Sequence, residues 1–314
     1  MPTKYLGKLF ANYGIFLALA GIVLTLGVLN PIFLSIDNFS NILLQTTVLS
    51  IVSVGMTFVI ISGGIDVSVG SIVAFAGMVL GYSLHANISP FWAIVFCLLI
   101  GVLCGALNGV VIAIFDVPPF IATLGVMSAA RGAALMVNDG RSFSGFGDGF
   151  LFLAKGAFVN IPFPIFIMFA VIIFAYLFLK FTYWGKYVYA IGGNSRASWL
   201  SGISVKFYLI GVYSLCGLLC ALASVLLSAR LNSTQPIAGN FYELDAIAAV
   251  VIGGASLSGG QGSIVGTMLG ALILVVLKNG LSILNVPSFV QQITIGAVII
   301  LAVILDKWKK RRNF

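Results

Sequence analysis

Long apolar runs alternate along the chain with short polar intervals, and many of the runs are of bilayer length. A helix that crosses the hydrocarbon core needs about 20 mostly apolar residues. Stretches near 12–33, 40–61, 68–84, 91–115, 118–137, 161–181, 207–229, 243–257, 263–285 and 288–305 meet or approach that length. The first, second, fourth, sixth, seventh and tenth are unbroken. The third, fifth and eighth are short or polar, as expected of spans buried among other helices or broken within the bundle. The pattern predicts an all-α fold: a polytopic helical membrane protein of about ten transmembrane helices, some short or broken. It reads as one transmembrane domain over residues 1–314, with a polar segment at 182–206.

The sharpest interruption is Ile61-Ser62-Gly63-Gly64-Ile65-Asp66-Val67-Ser68-Val69-Gly70-Ser71, between the second and third runs. It places a carboxylate and three glycines between apolar stretches in a chain with eight acidic residues. Lipid tolerates neither a free carboxylate nor unpaired backbone groups, so such a break belongs where protein or a water-filled cavity surrounds it. That points to a transport pathway.

Composition agrees. Apolar residues make up 61% and charged residues 8% of the chain, against about 25% charged in a soluble domain. Mean hydropathy is +1.16. No apolar run is followed by a small-residue cleavage site, so the first span is expected to stay as an anchor. The net charge of +8 does not describe a nucleic-acid surface, because the basic residues lie at segment ends rather than along a stripe with aromatics. They orient the chain instead. With the amino terminus inside, Lys4, Lys8, Lys180, Lys186, Arg196, Lys206, Lys307, Lys309, Lys310, Arg311 and Arg312 face the cytoplasm. Arg141, Lys155 and Arg230 then lie outside, with Asp37, Asp139, Asp148 and Glu243. Ten spans with both termini cytoplasmic satisfy this bias; an odd count would put one basic end outside. The Lys307–Arg312 cluster reads as a topology anchor.

Glycines recur every four residues at Gly101, Gly105 and Gly109 and at Gly262, Gly266 and Gly270, with a further pair at Gly77 and Gly81. This spacing lets helix backbones approach closely where lipid supplies no hydrophobic drive. Gly63-Gly64 followed by Gly70-Ser71-Ile72-Val73 resembles Gly253-Gly254 followed by Gly262-Ser263-Ile264-Val265. Both breaks fall on the cytoplasmic side of the expected topology, which argues against an inverted repeat. Cys97, Cys104, Cys216 and Cys220 lie inside apolar runs and read as small buried hydrophobes. With His85 the only histidine, no Cys–His metal spacing exists.

Leu257-Ser258-Gly259-Gly260-Gln261 spells the signature motif of ABC-type ATPases. The chain has no G-x-x-x-x-G-K-[ST] loop to cradle phosphates, and no soluble stretch long enough for a nucleotide-binding domain. The pentapeptide therefore reads as a glycine-rich turn. In the polar segment, Asn194 or Ser195 can cap a short helix and Gly202 can end it. With Ala197, Trp199, Leu200 and Ile203 on it, such a helix suits either docking to a soluble partner or an interfacial turn.

At this point a resemblance covers most of the chain. Ser62–Ser71, Asn108-Gly109 with Pro118–Gly125, Arg131-Gly132, Tyr187–Ile203, Ala229–Asn232 and Tyr242–Gly266 run in order as in the permease subunits of bacterial carbohydrate ABC importers, the ribose/galactose/arabinose/xylose group. The resemblance implies a transport subunit without its own ATPase site, in the bacterial cytoplasmic (inner) membrane. It also implies an ABC ATPase subunit that binds the ATP, a periplasmic sugar-binding protein and a second permease chain, identical or paralogous. This chain is expected to bind no cofactor. Asn194–Gly202, with Asn194, Ala197, Leu200 and Gly202, resembles the element that couples to the ATPase. The family often has acidic-Ala-Ala there, whereas this chain has Arg196-Ala197-Ser198.

Sugar hydroxyls favour neutral hydrogen-bonding groups along a path. Asn108, Thr123, Ser128, Asn232, Gln235 and Gln45 are candidates, each of which could instead join helices. Asp66 and Arg131 stand out as intramembrane charges, expected to steady broken helices near a gate by pairing with each other or with backbone groups. The second class the sequence allows is an ion-coupled secondary transporter of a small polar solute, with Asp66 or Asp245 carrying the ion. A channel or a membrane enzyme has less behind it: one chain shows no ring of charges, and no nucleophile–base pair or metal set is present.

Overall fold

The computed structural model describes the backbone of residues 2–158 and 161–312, with side chains for 14–158, 161–298, 300, 301 and 304. The Lys4, Lys8 and Lys307–Arg312 side chains on which part of the orientation rests lie outside the described residues. A helix stands at each of the ten apolar stretches. In chain order they are α1 Pro2–Leu29, α2 Ile36–Ile61, α3 Val69–His85, α4 Pro90–Ala113, α5 Pro119–Met136, α7 Phe163–Phe181, α10 Val205–Leu231, α11 Tyr242–Ile252, α12 Ile264–Ile283 and α13 Ser288–Arg312. Among the described residues, six (α2, α4, α5, α7, α10 and α12) are long and apolar enough to cross a membrane.

Three further helices fill connections: α6 Asp148–Lys155, α8 Tyr183–Gly193 and α9 Ser195–Leu200. The first was not legible as a helix. It is held by Phe150 and Leu151, buried with Ala221, Val225 and Ala229 of α10. Two antiparallel strand pairs of two residues each, β1 Phe143–Ser144 with β4 Ser233–Thr234 and β2 Ala157–Phe158 with β3 Ile161–Pro162, tie loops together. The domain remains all-α.

α2 is the axis. From Thr46 to Ile61 every residue is buried; Thr46 Oγ1 donates to the Ile42 carbonyl at 2.7 Å, Thr57 Oγ1 lies 2.7 Å from both the Ser53 carbonyl and Thr267 Oγ1 of α12, and Ser50 and Ser53 Oγ have no partner among the described residues. The i−4 bond of Thr46 satisfies a hydroxyl without an outside partner. At one end Asn38 and Asn279 exchange side-chain amide bonds at 3.0 and 2.9 Å, fixing α2 to α12.

α4 lies against α10 through the predicted glycine face. A methyl group at Gly101 or Gly105 would collide with the carbonyl oxygen of Gly217 or Tyr213, and one at Gly109 would sit 2.6 Å from Ile210 Cα. On the opposite face of the same helix Leu99, Leu103 and Leu107 are exposed, as a lipid-facing stripe would be. Gly266 and Gly270 of α12 likewise abut the backbone of Gly253 and Ala249. The cysteines behave as small hydrophobes: all four are free thiols, three of them buried and Cys104 half-buried.

Both glycine breaks reach the same end of the bundle and meet there. Gly260 N–H donates to the Ile61 carbonyl at 2.8 Å, and Gly192 of α8 presses its Cα on that same carbonyl and on Gly260. The pentapeptide at 257–261 is therefore a turn: Gly259 and Gly260 adopt φ +82° and +71°, which only glycine enters without cost. Position 192 needs glycine for space alone. Gly192→Ala should lower the melting temperature of the detergent-purified protein, by an overpacking cost of about 1–3 kcal/mol. Gly193, with nothing within 4 Å, serves as the control. Gly193→Ala should leave the melting curve unchanged or raise it, and equal losses in the two variants would contradict this packing.

Candidate functional site

Ile61, Gly192 and Gly260 form a clasp, from which the first break continues into the bundle. Ser62 caps α2, Gly63 takes φ +87° against Gly192, and Gly64 passes the Tyr213 hydroxyl. The chain then carries Asp66 to a fully buried position beside Cys216. Cys216 lies eleven residues into α10, so Asp66 sits about 16 Å inward from that helix's start at the α helical rise. Orientation alone places the whole break at one membrane end. The structure corrects this: its second half is internal, and α3 starts inside the bundle.

Four side chains stitch the internal half. Asp66 Oδ1 accepts the Ser68 N–H at 2.8 Å and also the Ser68 hydroxyl, an Asx turn of the kind that lets a short side chain replace a backbone partner. Asn108 of α4 donates through Nδ2 to Ser68 Oγ at 2.8 Å. Thr123 of α5 accepts the Val67 N–H at 3.3 Å. The interruption at residues 62–68 is thus bonded to α4 and α5. The Cys216 thiol reaches the Asp66 carboxylate, while Asn108 Oδ1 and Tyr213 Oη, both buried, have no hydrogen-bond partner among the described residues. That leaves unspent polar capacity around the carboxylate.

The other candidates lie elsewhere. Arg131 does not meet Asp66; its Nη1 donates to the carbonyls of Pro236 and Ala238 at 2.8 and 3.0 Å. Those carbonyls belong to the 232–241 loop, which packs Gly239 onto Gly70 at the start of α3. Gln235 stands in that loop, its carbonyl accepting the Ala238 N–H at 3.0 Å. Asn232 ends α10 at φ +49° and accepts the Phe146 N–H through Oδ1 at 2.9 Å. Of the residues expected along a path or at a gate, Asp66 and Asn108 meet through Ser68, Arg131 bonds the loop that holds Gln235, and Asn232 bonds Phe146 where that loop begins. Of the two alternatives for the intramembrane charges, backbone pairing is the one observed. Gln45 is half-buried on α2, and Ser128 lies on α5 away from these bonds.

An ion pair absent from the sequence reading joins Lys278 of α12 to the buried carboxylate of Asp245 on α11. Its signal was available, because an intramembrane charge calls for a partner. Their separation of 33 positions along the chain hid the pairing.

At the clasp end the expected short helix is present. Asn194 Oδ1 accepts the Ala197 N–H at 2.9 Å, α9 follows, and Gly202 closes it at φ +84°. Trp199 and Leu200 are 58% and 70% exposed, and the Arg196 guanidinium lies 5.3 Å from the Trp199 ring. A cleft of about 740 Å³ opens beside them, walled by Ile112, Asp116, Trp199 and Lys206. With only Gly193 and Asn194 between Gly192 and α9, the exposed helix is two residues removed from the clasp.

Residues 38–303 match the family model described as branched-chain amino acid transport system / permease component. The chain is 43% identical to the ribose import permease protein of Haemophilus influenzae, covering 96% of this chain and 95% of that protein. It is 45% identical to the ribose import permease protein of Bacillus subtilis, over 94% and 92%, and 37% identical to the D-allose transport system permease protein of Escherichia coli, over 94% and 91%. No solved structure matches the chain significantly. An apolar bundle with bonded helix breaks, matched along nearly its whole length, belongs to this family of transport-system permease components.

Proposed function

We propose that this chain is the membrane-spanning subunit of an ATP-driven sugar importer, in the cytoplasmic membrane of a bacterium, and that it forms the path for a monosaccharide delivered by a periplasmic binding protein. The ribose permeases stand at 43–45% identity, against 37% and 36% for the E. coli allose and xylose permeases, which favours a ribose-like cargo. ATP is bound and hydrolysed by a partner ATPase, and a second permease chain completes the path. Ten spans with both termini cytoplasmic fit the basic side chains at the clasp end, where Lys180, Lys186, Arg196 and Lys206 are all exposed.

The observation that carries this reading is the clasp. An exposed helix starts two residues after Gly192, which bears directly on both helix breaks. A partner that moves α9 therefore moves Gly192 against Ile61 and Gly260, and through them the segment that ends at Asp66. A ligand shifts an equilibrium only through its differential affinity for the two states; here nucleotide acts on the ATPase and docking passes the preference on. Asn194, Ala197, Leu200 and Gly202 form the docking element in this scheme. Asp66 and Asn108 hold the inner gate, while Arg131, Asn232 and Gln235 set the loop over α3. The carboxylate of Asp245 is occupied by Lys278, which weighs against Asp245 as an ion carrier in the secondary-transporter alternative.

Uptake of labelled ribose into vesicles holding the reconstituted complex tests the whole scheme. It should require ATP and survive collapse of proton and sodium gradients; gradient-driven uptake without hydrolysis would replace this reading with the ion-coupled one. Leu200→Asp should leave the purified permease folded, yet reduce its co-purification with the ATPase at least tenfold. Asp66→Asn retains an oxygen for the Asx turn, so it should assemble normally and transport at least tenfold more slowly. Normal uptake by that variant would remove Asp66 from the gate.

A further inference from the structure

We propose that the cavity between α7, α8 and α12 binds the phosphate of an anionic phospholipid headgroup. The cavity measures about 400 Å³ and is bordered by Tyr176, Lys180, Lys186, Tyr189, Gly262 and Ser263. Its two ammonium groups are exposed, and among the described residues neither is paired with a carboxylate. Aromatic groups hold them without neutralising them. Lys180 Nζ donates to the Tyr176 hydroxyl at 2.7 Å and lies 5.3 Å from the Phe181 ring, and Lys186 Nζ lies 5.4 Å from the Tyr183 ring.

The third wall adds charge of the same sign. α12 is a twenty-residue helix whose first turn opens here. Ser263 Oγ accepts only the Gly266 N–H, and the remaining first-turn donors carry the positive end of the helix dipole. Two lysines, a helix start and the Tyr176 hydroxyl, with no acidic side chain in the lining, make a receptor for a phosphate monoanion.

The surroundings select a lipid over free phosphate. Below Lys180, the α7 side chains Ile173, Phe174 and Leu177 are 55%, 67% and 47% exposed, an apolar strip leading away from the cavity as acyl chains would. Trp184, Tyr187 and Tyr208 cluster at the same level, with ring centroids 4.7 Å apart for Trp184–Tyr208 and 5.3 Å for Tyr187–Tyr208. Such aromatics mark a membrane–water interface, and basic pockets between helices on the cytoplasmic side suit anionic headgroups. Tyr189 Oη also donates to the Gly262 carbonyl at 2.8 Å. A headgroup seated here therefore holds α8 against the second break, and its occupancy bears on the clasp. The inference rests on the proposed orientation, which places this end at the inner leaflet.

Native mass spectrometry of the intact transporter complex, extracted from membranes containing phosphatidylglycerol and phosphatidylcholine, tests it. The wild type should retain phosphatidylglycerol selectively. Lys180→Gln and Lys186→Gln should each reduce that preference about fivefold, as expected for one lysine at an anionic surface, and Lys180→Arg/Lys186→Arg should keep it. Equal retention by the Gln variants, or loss of the bound species on adding inorganic phosphate alone, would overturn the proposal. Labelling Lys186→Cys in intact cells with an impermeant maleimide tests the orientation separately. Protection is the expected result; labelling from outside would overturn the inner-leaflet placement even if the lipid remained bound.

Discussion

A backbone that leaves its helix inside a bilayer must find hydrogen-bond partners within the protein, and this requirement organises the molecule. α2 stops at Ile61 and leaves a carbonyl that water would satisfy in a soluble protein. Here the Gly260 N–H satisfies it. The bond forms only because Gly192, Gly259 and Gly260 let three backbones reach one point. A side chain on Gly192 would push them apart. The two helix breaks and the α8–α9 segment are consequently one packed unit, although the first break lies more than a hundred residues before the other two.

The same requirement explains Asp66. A buried carboxylate is costly unless it is bonded, and Asp66 spends one oxygen on Ser68 while Ser68 is in turn held by Asn108. Beyond Ser68 the carboxylate meets only the weak Cys216 thiol donor, beside buried polar atoms that are unspent. A fully bonded junction would be rigid. One with open polar capacity can exchange partners, which is the property the proposed gate calls for.

Close packing does the remaining work. In lipid, apolar contact between helices offers little advantage over contact with acyl chains, so α4 holds to α10 through backbone approach at Gly101, Gly105 and Gly109. The rigid pair α4–α10 carries Asn108 on one side and Tyr213 and Cys216 on the other. The broken segment thus packs against a continuous wall, while its clasp lies next to the exposed helix α9.

Apolar run length determined the ten helical stretches, and glycine spacing determined which faces pack, because both are local and periodic. The cap at Asn194 and the stop at Gly202 were equally legible, since a helix end is written within a few residues. What the linear pattern could not hold was depth and partnership. Orientation by charge put the whole Ser62–Ser71 break at one membrane end; only the fold shows Asp66 beside Cys216, because a non-helical segment can travel inward without any change in hydropathy. The pairing of Asp245 with Lys278, the attachment of Arg131 to loop carbonyls rather than to Asp66, and the use of a signature-like pentapeptide as a clasp depend on contacts between distant segments. Sequence therefore specified the helices and their small-residue faces. Tertiary structure decided where each buried polar group is satisfied, because in a low-dielectric interior the nearest available donor wins regardless of its distance along the chain.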